Sequence, residues 1–186
     1  MARTPSNMVK LGTQAPSFKL INTINDKLIT SDTIFNKNGT IIMFICNHCP
    51  FVIHVLDEII SISEEYFENI SFIAISSNDI VNYPEDSPEL MKKLAIDKKF
   101  KFPYLYDENQ DVAKSYNAVC TPDIYGFNEK LVLKYRGRID SKVINSKEIE
   151  ITRELYLAMK KISKDGFGPE MQYNSFGCSI KWKNYE

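Results

Sequence analysis

The sequence predicts an α/β domain with a central mixed sheet flanked by helices. Three observations lead there. Thr40 to Ile45 and Phe72 to Ile75 are continuously apolar, as strands buried on both faces are. Apolar residues between and after them recur at helical spacing, so strands alternate with helices, a pattern that demands a mostly parallel sheet covered on both sides. Late in the chain, Asp123 to Phe127 and Leu131 to Tyr135 flank Asn128-Glu129-Lys130 and predict an antiparallel hairpin at one edge.

Taken in order, Met1 to Asn7 is polar and carries Pro5, so residues 1–8 are expected to be a flexible terminus before a single domain over residues 9–182. Phe18 to Ile21 and Lys27 to Thr30 flank Asn22 to Asp26 and predict an N-terminal hairpin. Asp32 to Asn38 reads as one loose turn. After the first buried strand, Phe51, Val52, Val55, Leu56, Ile59, Ile62 and Tyr66 form a helical stripe, with His54, Asp57 and Glu58 on a solvated face. Ser76 to Asp86 is a polar loop, and Ser87-Pro88 supplies an N-cap and a first-turn proline. Gln110 to Tyr116 predicts a short helix, and Glu148 to Ile162 a final one closed by Gly166. The tail Tyr173 to Trp182 is aromatic enough to dock on the domain.

Composition narrows the function. A chain of 186 residues with 44% apolar content can build a real core. A net charge of -1 argues against a nucleic-acid binder, and the cluster Lys134, Arg136, Arg138 and Lys142 reads as a solvated surface. No run approaches the ~18 apolar residues of a membrane span, and Met1 to Lys10 has no apolar leader core, so the expected location is cytoplasmic. Four cysteines are too few for a disulfide scaffold. In a reducing compartment a Cys-x-x-Cys is more often catalytic or metal-binding than a structural staple.

That motif is Cys46-Asn47-His48-Cys49, set between the buried strand and Pro50-Phe51, where the helical stripe begins. Helix starts carry positive potential from unpaired N–H groups. A thiolate at Cys46 is therefore expected to have a lowered pKa and to act as nucleophile. Cys49 shares the same face of the first turn and is placed to resolve a mixed disulfide at Cys46. A protonated His48 between them would lower the Cys46 pKa further. The bland alternatives are two inert buried cysteines, or half a zinc site lacking a second close pair of ligands. Cys120 and Cys178 read first as buried structural residues, and base rates alone do not make the Thr121-Pro122 bond cis.

The chain resembles the thioredoxin superfamily, within its redoxin branch (alkyl hydroperoxide reductase/thiol-specific antioxidant type), and more narrowly the peroxiredoxin-like 1 group. The residues that carry this are Leu11 to Phe18, Cys46 to Val52, Tyr83 to Ser87, Phe102 to Leu105, Cys120 to Asp123, Tyr135 to Asp140 and Gly177 to Trp182. The resemblance implies a thioredoxin-like fold and a cis peptide before Pro122 with Thr121 facing the sulfurs, in a loop that receives a partner's backbone. It places Cys120 near the site as a competitor of Cys49. It implies an enzyme acting on protein or low-molecular-weight thiols and disulfides, with no metal and no cofactor. The peroxiredoxin pattern Pro-x-x-x-Thr/Ser-x-x-Cys is incomplete, because Ile42 and Cys46 stand at its Pro and Thr/Ser positions ahead of Cys49. Thiol–disulfide exchange is thus the expected activity. Peroxide reduction and a non-enzymatic metal- or partner-binding module remain the alternatives.

Overall fold

The computed structural model describes residues 3–35, 38–66, 68–142, 144 and 150–184. In chain order the elements are β1 (Arg3–Pro5), β2 (Lys19–Asn22), β3 (Leu28–Thr30), α1 (Ser31–Ile34), β4 (Thr40–Phe44), α2 (Pro50–Glu65), β5 (Ser71–Ser76), α3 (Pro88–Asp97), β6 (Tyr104–Tyr106), α4 (Asp111–Ser115), β7 (Cys120–Thr121), β8 (Asp123–Phe127), β9 (Leu133–Gly137), α5 (Glu154–Asp165) and β10 (Phe176–Ser179). A seven-stranded sheet runs β3-β2-β6-β5-β4-β8-β9, and a three-stranded one runs β1-β10-β7. β4, β5 and β6 are parallel, while the β2–β3 hairpin and the β8–β9 hairpin supply antiparallel edges. The predicted mixed sheet and both hairpins are present.

The apolar run of β4 is buried along its whole length. Strand alternation sends Ile41, Met43 and Ile45 to one face, where α2, α3 and α5 pack through Val52, Ile59, Met91 and Met159. Ile42 and Phe44 point to the other face, onto Phe18, Val112, Tyr116 and Tyr125. Local signals behave as the sequence predicts at three helix ends. Pro50 opens α2 at its first position. Ser87 caps α3, its hydroxyl accepting from Leu90 N–H at 3.5 Å. Gly166 closes α5 in the left-handed region at φ 76°.

Three expectations differ. Arg3–Pro5 is a strand rather than a mobile end, because β10 offers it an edge in the register Arg3 to Cys178 and Pro5 to Phe176. The last helix begins at Glu154, not Glu148, and the expected start at 148 lies outside the described residues. Its approach is pinned extended: Ser141 N–H donates to Thr152 O at 3.0 Å, Thr152 N–H donates to Ser141 Oγ at 2.8 Å, and Leu155 N–H donates to Ile139 O at 2.9 Å. Arg136, read as solvated, is fully buried and ion-paired with Asp123. Its guanidinium also donates to Ile124 O and to the Tyr125 hydroxyl, both at 3.1 Å, and lies 3.9 Å from the centre of the Tyr125 ring.

Candidate active site

The Cys-x-x-Cys occupies the turn from β4 into α2. Ile45 N–H still donates to Ile75 O at 3.0 Å, so the sheet holds the chain up to the residue before Cys46. Cys49 is the N-cap of α2, its carbonyl accepting from Ile53 N–H at 3.0 Å. The strand thus fixes one sulfur and the helix start fixes the other. Both side chains are buried and both thiols are reduced.

Thr121 closes the site from the opposite side. The bond between Thr121 and Pro122 is cis. Thr121 Oγ1 lies 3.4 Å from Cys46 Sγ, and the Cys49 thiol donates to Thr121 O at 3.0 Å. The arrangement implied by the resemblance, with Thr121 facing both sulfurs, is present. Asp123, which follows Pro122, anchors this loop through its buried pair with Arg136. Burial drives the Asp123 carboxyl up to about 6, against the opposing pull of Arg136.

A third wall comes from the loop after β5, through a residue the sequence reading passed over as part of a polar loop. Asp86 is fully buried. Its Oδ1 accepts from Asn47 N–H at 2.7 Å, and its Oδ2 accepts from Asn78 Nδ2 at 2.7 Å and faces His48 Nδ1 at 2.8 Å. Glu85 O accepts from Asn47 Nδ2 at 2.8 Å, and the Tyr104 hydroxyl donates to Asn47 Oδ1 at 3.2 Å. The turn is therefore held at both residues between the cysteines. Ligand atoms of Cys46, His48 and Asp86 lie within 4.8 Å of one another. A thiophilic divalent ion such as zinc would find thiolate, imidazole and carboxylate donors there.

The two thiols are pushed in opposite directions. Cys46 is pushed far up, first because its thiol donates to Cys49, then by burial and by the negative charge of Asp86. Cys49 is lowered to about 5, first by the Cys46 hydrogen bond, against burial, and then by hydrogen bonds from Cys178 and Thr121. The two thiols interact strongly, so they titrate as a pair, with Cys46 pushed up and Cys49 pushed down. The helix-start argument holds for the N-cap residue itself. Cys46 lies one turn outside it and beside a buried carboxylate. His48 turns its Nδ1 to Asp86 Oδ2 at 2.8 Å.

A model of the AhpC/TSA family matches residues 11–142. The chain belongs to that family. No curated protein matches it. An uncharacterized conserved protein from Geobacillus kaustophilus is similar over 100% of this chain and 99% of that chain, at 45% identity and a TM-score of 0.96. A hypothetical protein from Sinorhizobium meliloti 1021 is similar over 97% and 98%, at 31% identity and a TM-score of 0.92. The thioredoxin domain of a thiol-disulfide oxidoreductase from Bacteroides vulgatus covers 69% of this chain and 91% of its own, at 16% identity and a TM-score of 0.57. That last likeness speaks to fold alone, and the fold is thioredoxin-like.

Within this AhpC/TSA chain, two further cysteines, Cys120 and Cys178, lie near the pair. Cys120 is buried and its thiol points to Pro122 O at 3.7 Å. Burial drives its pKa far up. Cys178, read from sequence as structural, hydrogen-bonds Cys49 through both side chain and backbone. Sequence signals for this were the aromatic tail and Gly177. His54, expected on a solvated face, is half-buried and lines a cavity of about 280 Å³ with Phe51, Pro122, Arg138 and Asp140. No helix among the described residues is long and apolar enough to cross a membrane.

Proposed function

We propose that this protein is a thiol–disulfide oxidoreductase whose reversible couple is Cys46 and Cys49, acting on protein or low-molecular-weight thiols and disulfides. The carrying observation is a pair of buried sulfurs at the strand-to-helix turn that both face Thr121, Cys46 Sγ at 3.4 Å from its hydroxyl and the Cys49 thiol donating to its carbonyl at 3.0 Å. A dithiol so arranged needs only to lose two electrons and two protons to close. Family membership and the thioredoxin-like fold support the reading. Cys49, the thiol pushed down, is assigned the attack. Cys46, already donating to it, resolves the mixed disulfide. This exchanges the roles expected from sequence. Four cysteines in a chain of this size suit the reducing cytoplasm.

The test is a trapping experiment with a disulfide substrate and serine variants. With Cys178 also replaced by serine, Cys46→Ser should accumulate a mixed disulfide at Cys49, and Cys49→Ser should accumulate none. Turnover that survives both substitutions would end this reading.

A second reading, reduction of peroxides, draws on the AhpC/TSA membership and on the lowered Cys49 thiol. Cys49 would attack a peroxide oxygen, become a sulfenic acid and release water or an alcohol, and Cys46 would then condense with it. Oxidation of Cys49 by hydrogen peroxide no faster than a free thiolate would exclude it.

A further inference from the structure

We propose that Cys178 is a third redox-active thiol of this site, exchanging disulfide with Cys49 inside the same chain. The proposal rests on the reading that Cys46 and Cys49 form a reversible couple, and it adds a second position for the oxidised bond.

The placement comes from strand pairing. β10 lies antiparallel to β7, with Cys178 opposite Thr121 and Ser179 opposite Cys120. Ile180 N–H extends the pairing to Val119 O at 3.0 Å. Thr121 is the residue whose hydroxyl faces Cys46 and whose carbonyl faces Cys49. Its cross-strand partner is thus brought to the same two sulfurs. The approach is unusually close at the preceding residue, where a Cβ on Gly177 would stand 1.9 Å from Thr121 O. Only glycine lets β10 lie this near. Cys178 is buried with Cys46 and Cys49 in one cluster, and its thiol and backbone both hydrogen-bond Cys49. Thiols in such contact need side-chain rotation and a small strand shift to reach the ~2.05 Å bond of a disulfide.

The step balances without an outside oxidant. Starting from the Cys46–Cys49 disulfide, the Cys178 thiolate attacks Cys49 Sγ. The Cys49–Cys178 bond forms and the Cys46–Cys49 bond breaks. Cys46 leaves as thiolate and takes the proton that Cys178 gave up. The strand that fills the edge of the cis-proline loop therefore acts as an internal substrate. The exchange returns Cys46 to the thiol state while the chain stays oxidised.

The test uses the full chain equilibrated with glutathione and glutathione disulfide, quenched in acid, alkylated, digested at low pH and mapped by mass spectrometry. Wild type should yield both Cys46–Cys49 and Cys49–Cys178 peptides. Cys46→Ser should form Cys49–Cys178 in about tenfold excess over the glutathione adduct of Cys49, because the intrachain thiol has the higher effective concentration. Cys178→Ser should retain Cys46–Cys49 alone. Cys46→Ala and Cys178→Ala, with native circular dichroism as the folding control, repeat the comparison. A folded Cys46→Ser or Cys46→Ala protein whose Cys49 is only glutathionylated would overturn the proposal. If wild type gave Cys49–Cys178 but never Cys46–Cys49, the proposed couple would fail while the pairing of Cys49 with Cys178 stood.

Discussion

Asp86 Oδ2 stands 2.8 Å from His48 Nδ1, and the same carboxylate adds its negative charge to the upward push on Cys46. That charge follows the Cys49 contact and burial among the causes that raise Cys46. Asp86→Asn removes that buried charge. A thiolate on the pair becomes easier to form, so the reduced state gains and the couple becomes more oxidising. The expected shift is about 10–30 mV toward less negative potential, read from equilibrium with glutathione. Loss of a charged acceptor for Asn47 and Asn78 should also cost about 1–3 kcal/mol of stability. An unchanged potential would remove Asp86 from the electrostatics of the site.

Cys49 gives the reduced protein a pH signature. Its folded pKa is lowered to about 5, below the ~8.5 of an unfolded cysteine. A group with a depressed folded value adds stability that is complete above the unfolded value and lost as pH falls through the folded one. Urea unfolding of the reduced protein should therefore show stability rising from pH 5 to about 8.5. Cys49→Ser should flatten that rise. Ultraviolet thiolate absorbance in wild type should titrate in the acid range. Cys46→Ala, which removes the main donor, should move that titration up.

The Asp123–Arg136 pair lies beneath the cis-proline loop, fully enclosed. Arg136→Met leaves a carboxylate buried without its partner and should cost about 3–5 kcal/mol, seen as a lower urea midpoint. Asp123→Asn combined with Arg136→Met should recover most of that loss. Equal destabilisation in the single and double variants would mean the effect is packing, not charge.

Gly177→Ala tests how the tail is held. The added methyl meets Thr121 O, so β10 must shift or detach. Amide exchange at residues 176–180 should rise and alkylation of Cys49 should speed up, while the α2 and β4 amides stay protected. Unchanged protection at the tail would show that the strand yields without undocking.

Much of this was legible in the chain. Continuous burial at Thr40 to Ile45, the stripe from Val52 to Ile62, and the Ser87-Pro88 and Gly166 signals are local, and local patterns survive into structure. The motif and Thr121 were found through spacing and resemblance. Asp86 and Cys178 were not, because their roles depend on contacts across the sheet. A buried aspartate in a polar loop looks like any solvated one until Asn47, Asn78 and His48 surround it. Arg136 misled for the same reason: its partner lies across the β8–β9 hairpin. The start of α5 was placed too early because helical spacing of apolar residues does not register the cross-links at Ser141 and Thr152.

The pairing of β7 with β10 also orders events during synthesis. Cys46 and Cys49 emerge early, at the turn from β4 into α2, but the segment that covers them, β10, follows every strand of the seven-stranded sheet. Closing so long a loop is entropically costly and comes late in folding. A nascent chain therefore displays an uncovered dithiol until Gly177 and Cys178 arrive. For that interval the two sulfurs meet oxidants and thiols in solution without the strand that later covers them.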